Sequence, residues 1–146
     1  MDRQLVALLM NDGRATYQEL GRQVRLSANT VADRIRRLQG DGVISGYRAD
    51  LNLQAIGRGM EMVSDIRLRD GVSRADFEEQ LHEVPQVTAA MRVTGEYEFQ
   101  IRMACSDAHE CETVIDRLKD DLGVREVRSR LLLHEVPLGL HRVLEA

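Results

Sequence analysis

The stretch LSANTVADRIRRLQGDGVISGY, residues 26–47, combines three arginines with an apolar residue at helical spacing. Ser27 is a good N-cap, so the spacing predicts a helix over 28–39, ended by Gly40 or Gly42. Advancing 100° per residue from Val31 brings Ile35 and Leu38 within about 40° of it, a buried stripe. Asn29, Thr30, Asp33, Arg36 and Arg37 occupy the opposite arc, and Arg34 sits on its flank. A solvated surface and a face built for a groove of DNA both fit that pattern, so the neighbours must decide.

The segment before it holds two further short helices. Leu5, Leu8 and Leu9 share one face of the first, which Asp2 is placed to cap and Asp12-Gly13 to end. Thr16 and Glu19 form a capping-box pattern for the second, with Leu20 and Val24 inward. It ends about three residues before the third helix. Two short helices, a tight turn and an Arg/Asn/Thr outer face fit the helix-turn-helix, whose second helix enters the major groove. Asn29, Thr30 and Asp33 suit base edges, and Ser27 at the start of the same helix is a further DNA-binding candidate. Arg34, Arg36 and Arg37 suit grip and register on phosphates, and Arg22, Arg25 and Arg48 lie where further phosphate contacts belong. After the third helix, VISGYRADL reads as a small β-hairpin or wing, and QAIGRGM (54–60) as a hinge.

The rhythm then changes. Met62, Ile66 and Leu68 mark one face of a strand, and SRADFEEQLHEV is a capped helix with Phe77, Leu81 and Val84 inward. QVTAAMRV alternates Val87, Ala89, Met91 and Val93 on one face, making Met91 a core residue. Tyr97, Phe99, Ile101 and Met103 alternate again, and a helix carries Cys111, Val114, Ile115, Leu118 and Leu122 on one stripe. A last strand puts Val127, Ser129, Leu131 and Leu133 on one side. The order βαββαβ is ferredoxin-like, which makes the chain α+β. Its helices cover one sheet face and leave the other for a second subunit. The expected division is residues 1–52, a linker at 53–60 and a second domain at 61–146.

Composition supports this division. Of 146 residues, 1–58 contain nine Arg against six Asp/Glu, and the remainder carries a net charge of −7. A basic first part on an acidic second part suits a chain of which one end meets a polyanion. Aromatics make up 3% with no Trp, which argues against a base-stacking platform for single strands. Two cysteines and no export signal predict a protein of the reducing cytoplasm. His109, Glu110 and Cys111 lie on successive faces of one helix, so neither a metal nor a cofactor is expected there. Cys105 and Cys111 read as buried thiols, and no nucleophile–base pair points to catalysis.

The segment from Asp12 to Asn52 closely resembles the N-terminal domain of the Lrp/AsnC (feast/famine) transcription regulators. VTGEYEFQIRM is similar to the Gly-acidic-Tyr-acidic turn of that family's ligand-sensing domain. The resemblance implies a DNA-binding regulator that pairs sheet to sheet as a homodimer and assembles further, as in an octamer. It also implies a small effector, usually an amino acid, held near Gly95, Glu96, Tyr97 and Glu98, with Ser129 where the family often carries Thr. Arg25 replaces the glycine usual in the helix-turn-helix turn, Glu98 stands where Asp is commoner, and Arg128 and Arg130 flank Ser129. Two alternatives stay open: an enzyme like the sirohaem decarboxylases, which resemble the family in both domains, and an oligomeric sensor with vestigial DNA binding.

Overall fold

The computed structural model describes residues 2–146. The chain divides into two compact units, one running to Asp50 and joined by Val136–Ala146, the other spanning Leu51–Glu135.

The first unit holds helices α1 (Asp2–Asn11), α2 (Tyr17–Val24) and α3 (Ala28–Gly40). Local chemistry sets their starts. The Glu19 N–H donates to Thr16 Oγ1 at 3.2 Å and the Thr16 N–H to Glu19 Oε2 at 2.8 Å, closing the expected capping box. Ser27 caps α3 by accepting from the Thr30 N–H at 3.1 Å. Leu5, Leu20, Val24, Val31 and Ile35 form the buried core, flanked by Leu8, Leu9 and Ile44. Gly42 takes the left-handed conformation (φ +74°) beyond α3, while the Val43 and Ile44 N–H groups return to the Leu38 carbonyl.

Three expectations change here. Asp2 lies inside α1, and its carboxylate takes the Arg34 guanidinium at 2.9 Å. The hairpin expected over VISGYRADL does not form: residues 43–52 belong to no strand. Ile44 alone in that stretch is half-buried, and a two-stranded ribbon with no face to bury is marginal in water. The tail expected in the second domain belongs to the first unit, where the 3-10 segment Leu140–Glu145 meets α1 and Arg3 Nη1 donates to the Leu144 carbonyl at 3.4 Å.

The second unit opens with a 3-10 turn, Gln54–Ile56. Beyond it come β1 (Met60–Leu68), α4 (Arg74–Leu81), β2 (Val87–Arg92), β3 (Phe99–Cys105), α5 (Ala108–Asp120) and β4 (Val124–Leu131). The strands form one antiparallel sheet in the order β2-β3-β1-β4, as a βαββαβ unit requires. Ile66, Phe77, Phe99, Ile101, Met103, Leu118 and Val124 fill the core with Cys105 and Cys111, both free thiols. Phe77 and Phe99 meet at 4.9 Å between ring centres. The expected linker is no free tether: it belongs to this unit, and Arg58 is bonded to Glu110 on α5.

The register of β2 slips between Val87 and Ala89. Val87 pairs with buried Met103, whereas Ala89 and Met91 pair with Arg102 and Gln100, so the two ends of the alternation face opposite ways. Met91 is therefore exposed, at 38%, and not a core residue. The extra residue of a bulge inverts every side chain after it. On β4, Leu131 and Leu133 are likewise exposed, Leu133 lying past the strand's end.

Candidate DNA-reading face and effector turn

The turn between α2 and α3 depends on a glycine that carries no charge. A Cβ at Gly21 would collide with the Leu26 carbonyl oxygen, while the Leu26 N–H donates to the Gly21 carbonyl at 2.9 Å. Arg25 closes α2 in the left-handed conformation (φ 59°, ψ 44°), donating its own N–H to Gly21. It is the one non-glycine with positive φ among the described residues.

Beyond that turn the sequence-predicted residues divide by partner. Ser27 and Thr30 hold each other, hydroxyl to hydroxyl, at 2.8 Å, so Ser27 serves the start of α3. Asn29 is exposed in the first turn. Asp33 and Arg36 are bonded to one another on the exposed side. Arg34 is half-buried and tied to Asp2, which pins α3 to α1. Arg22, Arg25, Arg37 and Arg48 are exposed and meet no carboxylate among the described residues. Such unneutralised guanidinium groups are what a phosphate backbone attracts.

The second candidate site is the turn joining β2 to β3. The Val93 N–H donates to the Glu98 carbonyl at 3.0 Å, and Gly95 takes φ +111°, a value glycine adopts freely. Glu96 accepts from Arg67 Nη2 at 2.6 Å. Tyr97 donates its hydroxyl to Glu126 at 2.9 Å, and its ring lies 4.9 Å from the Arg67 guanidinium and 5.5 Å from that of Arg128. Burial, then the Glu126 bond, holds the Tyr97 phenol above its usual range, and the Glu96 bond raises Arg67. Arg67 Nε is buried without a partner among the described residues. Glu98 accepts from the Leu68 N–H at 2.9 Å and is thereby spent on the irregular end of β1. Beside it a groove of about 520 Å³ is lined by Asp70, Ser73, Arg74, Arg92 and Glu98.

Ser129 does not join this cluster. It pairs across the sheet with Ser64 at 2.7 Å, and Ser64 is fully buried. Arg128, one residue earlier, takes the other face and reaches Tyr97; Arg130 meets Asp65 at 3.5 Å. The sequence reading missed Arg67, Glu126 and Gly21. A strand's alternation assigns Arg67 and Glu126 to one face, but their pairing depends on the register between β1 and β4.

Glu110 was also underestimated. It accepts from the Ser106 N–H and hydroxyl at 2.6 and 2.8 Å, from Gln86 at 3.0 Å and from Arg58. These bonds, the Ser106 N–H first, hold its carboxyl down to about 2. Next to it, burial and then the Cys111 thiol push Cys105 up to about 12.

Two family descriptions match the chain, an AsnC-type helix-turn-helix domain over residues 1–39 and an Lrp/AsnC ligand-binding domain over residues 61–138. The HTH-type transcriptional regulator LrpA of Mycobacterium tuberculosis is 32% identical over 92% of this chain and 89% of its own length. A feast or famine regulatory protein of the same organism, solved with L-methionine, superposes with a TM-score of 0.85 at 32% identity, covering 92% of this chain and 90% of that one. A transcriptional regulator of Neisseria meningitidis, also in complex with L-methionine, gives 0.87 at 25% identity over 96% and 92%. With both halves of the fold matched in order, the chain belongs to the Lrp/AsnC family of helix-turn-helix transcription regulators.

Proposed function

We propose that the protein binds double-stranded DNA through α3, with Asn29 and Thr30 toward base edges and Arg22, Arg37 and Arg48 on phosphates. The observation that carries this is the set of exposed arginines without carboxylate partners around the α2–α3 turn. Arg36, steadied by Asp33, adds a contact of fixed direction, while Arg34 acts from behind by seating α3 on α1. A fluorescence titration against the DNA upstream of its own coding sequence tests the reading. Sequence-selective binding at physiological salt is expected; equal affinity for unrelated duplexes sinks it.

The Gly95–Glu98 turn is the proposed effector site, and an amino acid its ligand. Two neighbours in this family were solved with L-methionine, and the turn here offers both signs of charge: Glu96 for an ammonium, Arg67 and Arg128 for a carboxylate. Ser129 takes no direct part, since it is turned to Ser64. The working unit is a homodimer that assembles further, an octamer included, and the effector acts by favouring one assembly over another. The unit that runs to Asp50 reads DNA, and the unit Leu51–Glu135 senses and assembles, in the cytoplasm at the nucleoid. Isothermal titration with a panel of amino acids, L-methionine first, checks the effector. An unchanged heat signal and an unchanged assembly mass across the panel would remove it.

A further inference from the structure

We propose that Arg25 is an affinity-determining residue, kept in a strained backbone conformation because its guanidinium grips a DNA phosphate beside the start of α3. This rests on the DNA-binding reading above and goes beyond it in assigning a cost and a reason to one residue.

The fold dictates the strain but not the side chain. With Gly21 pressed on the Leu26 carbonyl, the chain reverses so tightly that residue 25 must turn left-handed. Glycine adopts that conformation freely, and Asn tolerates it better than most, whereas a side chain with a Cβ crowds the following carbonyl. Arg25 offers the fold nothing in return. It is exposed and meets no carboxylate among the described residues, and its backbone N–H bond to Gly21 would be made by any residue but proline. A non-glycine outlier held without local benefit points to a functional demand.

Position supplies the demand. Arg25 lies two residues before the Ser27 cap, at the end of α3 that carries Asn29 and Thr30, and three after Arg22. In a helix-turn-helix that end meets the DNA. The free N–H groups of a helix start favour phosphate there, and a guanidinium adds two parallel donors.

The test compares the full-length protein with Arg25→Gly, Arg25→Asn and Arg25→Lys, by thermal denaturation and by anisotropy titration of a duplex from its own upstream region across a salt series. Arg25→Gly should melt a few degrees higher, since the strain is relieved. Arg25→Gly and Arg25→Asn should both bind several-fold more weakly at low salt, with the slope of log K against log salt reduced by about 0.9 for each Arg25 in the bound assembly. Arg25→Lys should keep the slope. A glycine variant that melts below the parent, or binds with unchanged affinity and slope, overturns the proposal. If the parent itself binds no duplex, the DNA-binding reading has failed and takes this one with it; a parent that binds beside an unaffected Arg25→Gly condemns this one alone.

Discussion

At Gly21 an added methyl group meets the Leu26 carbonyl oxygen, so Gly21→Ala must push α2 and the turn apart. Overpacking of this kind costs about 1–3 kcal/mol, and urea denaturation should show a loss in that range. DNA affinity should fall with it, because the turn orients α3. Glu110 gives a prediction in pH. Its folded pKa, about 2, lies below the ordinary carboxylate range, so its contribution to stability is present above roughly pH 4.5 and is lost as pH falls toward 2. Glu110→Gln should flatten the acid limb of a stability profile in that window and leave its neutral limb parallel to the parent's. Parallel acid limbs would mean that the four bonds to this carboxylate contribute nothing to the fold. Residues whose job is settled within four positions were legible in sequence: Thr16, Glu19, Ser27 and Ser73 all cap as their spacing implies. Gly21 and Glu110 were not, because a close approach and a four-donor hub exist after the chain has folded back on itself.

The elements show a similar division. Helices α2, α3, α4 and α5 are readable because an apolar stripe every three or four residues suits no other local structure. The element order βαββαβ was legible from alternating strand and helix periods, and the second unit has it. Two expectations failed where a local signal was trusted too far. In VISGYRADL a Ser-Gly turn between apolar residues marked a hairpin with no face to bury, and in QVTAAMRV period-2 alternation ran straight through a bulge. The bulge is testable with two truncations. Val87 packs on the core while Met91 faces the opposite way. Val87→Ala should cost about 1 kcal/mol and Met91→Ala less than about 0.5 kcal/mol in urea denaturation at low protein concentration. Equal losses would restore the regular alternation. The proposed effector turn rests on a four-residue motif, yet its partners Arg67, Glu126 and Arg128 come from β1 and β4. A turn motif marks a site's position; the sheet register decides its chemistry.

At the scale of the whole molecule, the charge distribution and the uncovered sheet face bear on the same question, the number of chains on one DNA. Both helices of the second unit pack on the face that carries Ile66, Phe99, Ile101 and Val127. The other face presents Glu61, Asp65, Arg67, Gln100, Arg102 and Arg128, several of them joined by ion pairs such as Arg102 with Glu61 at 3.5 Å and Glu135 at 3.3 Å. An open four-stranded sheet seldom leaves a face bare, and a second copy of this chain is the proposed cover. In the proposed dimer, two first units, each with nine Arg against seven Asp/Glu and so a net charge of +2, meet DNA, and the acidic second units add no phosphate contacts. In that proposal Arg22, Arg25, Arg37 and Arg48, exposed and without a carboxylate partner among the described residues, count as four phosphate contacts per chain. Counterion release then predicts a salt slope of about −7 for a dimer on duplex DNA and about −3.6 for a single chain. The titration over a salt series, run beside sedimentation of the free protein, separates the two. A slope near −7 with protection of two sites about one helical turn apart is the expected result. A slope near −3.6 with a monomer in sedimentation would remove the sheet pairing, and a slope shallower than −2 would remove the arginines from the interface altogether.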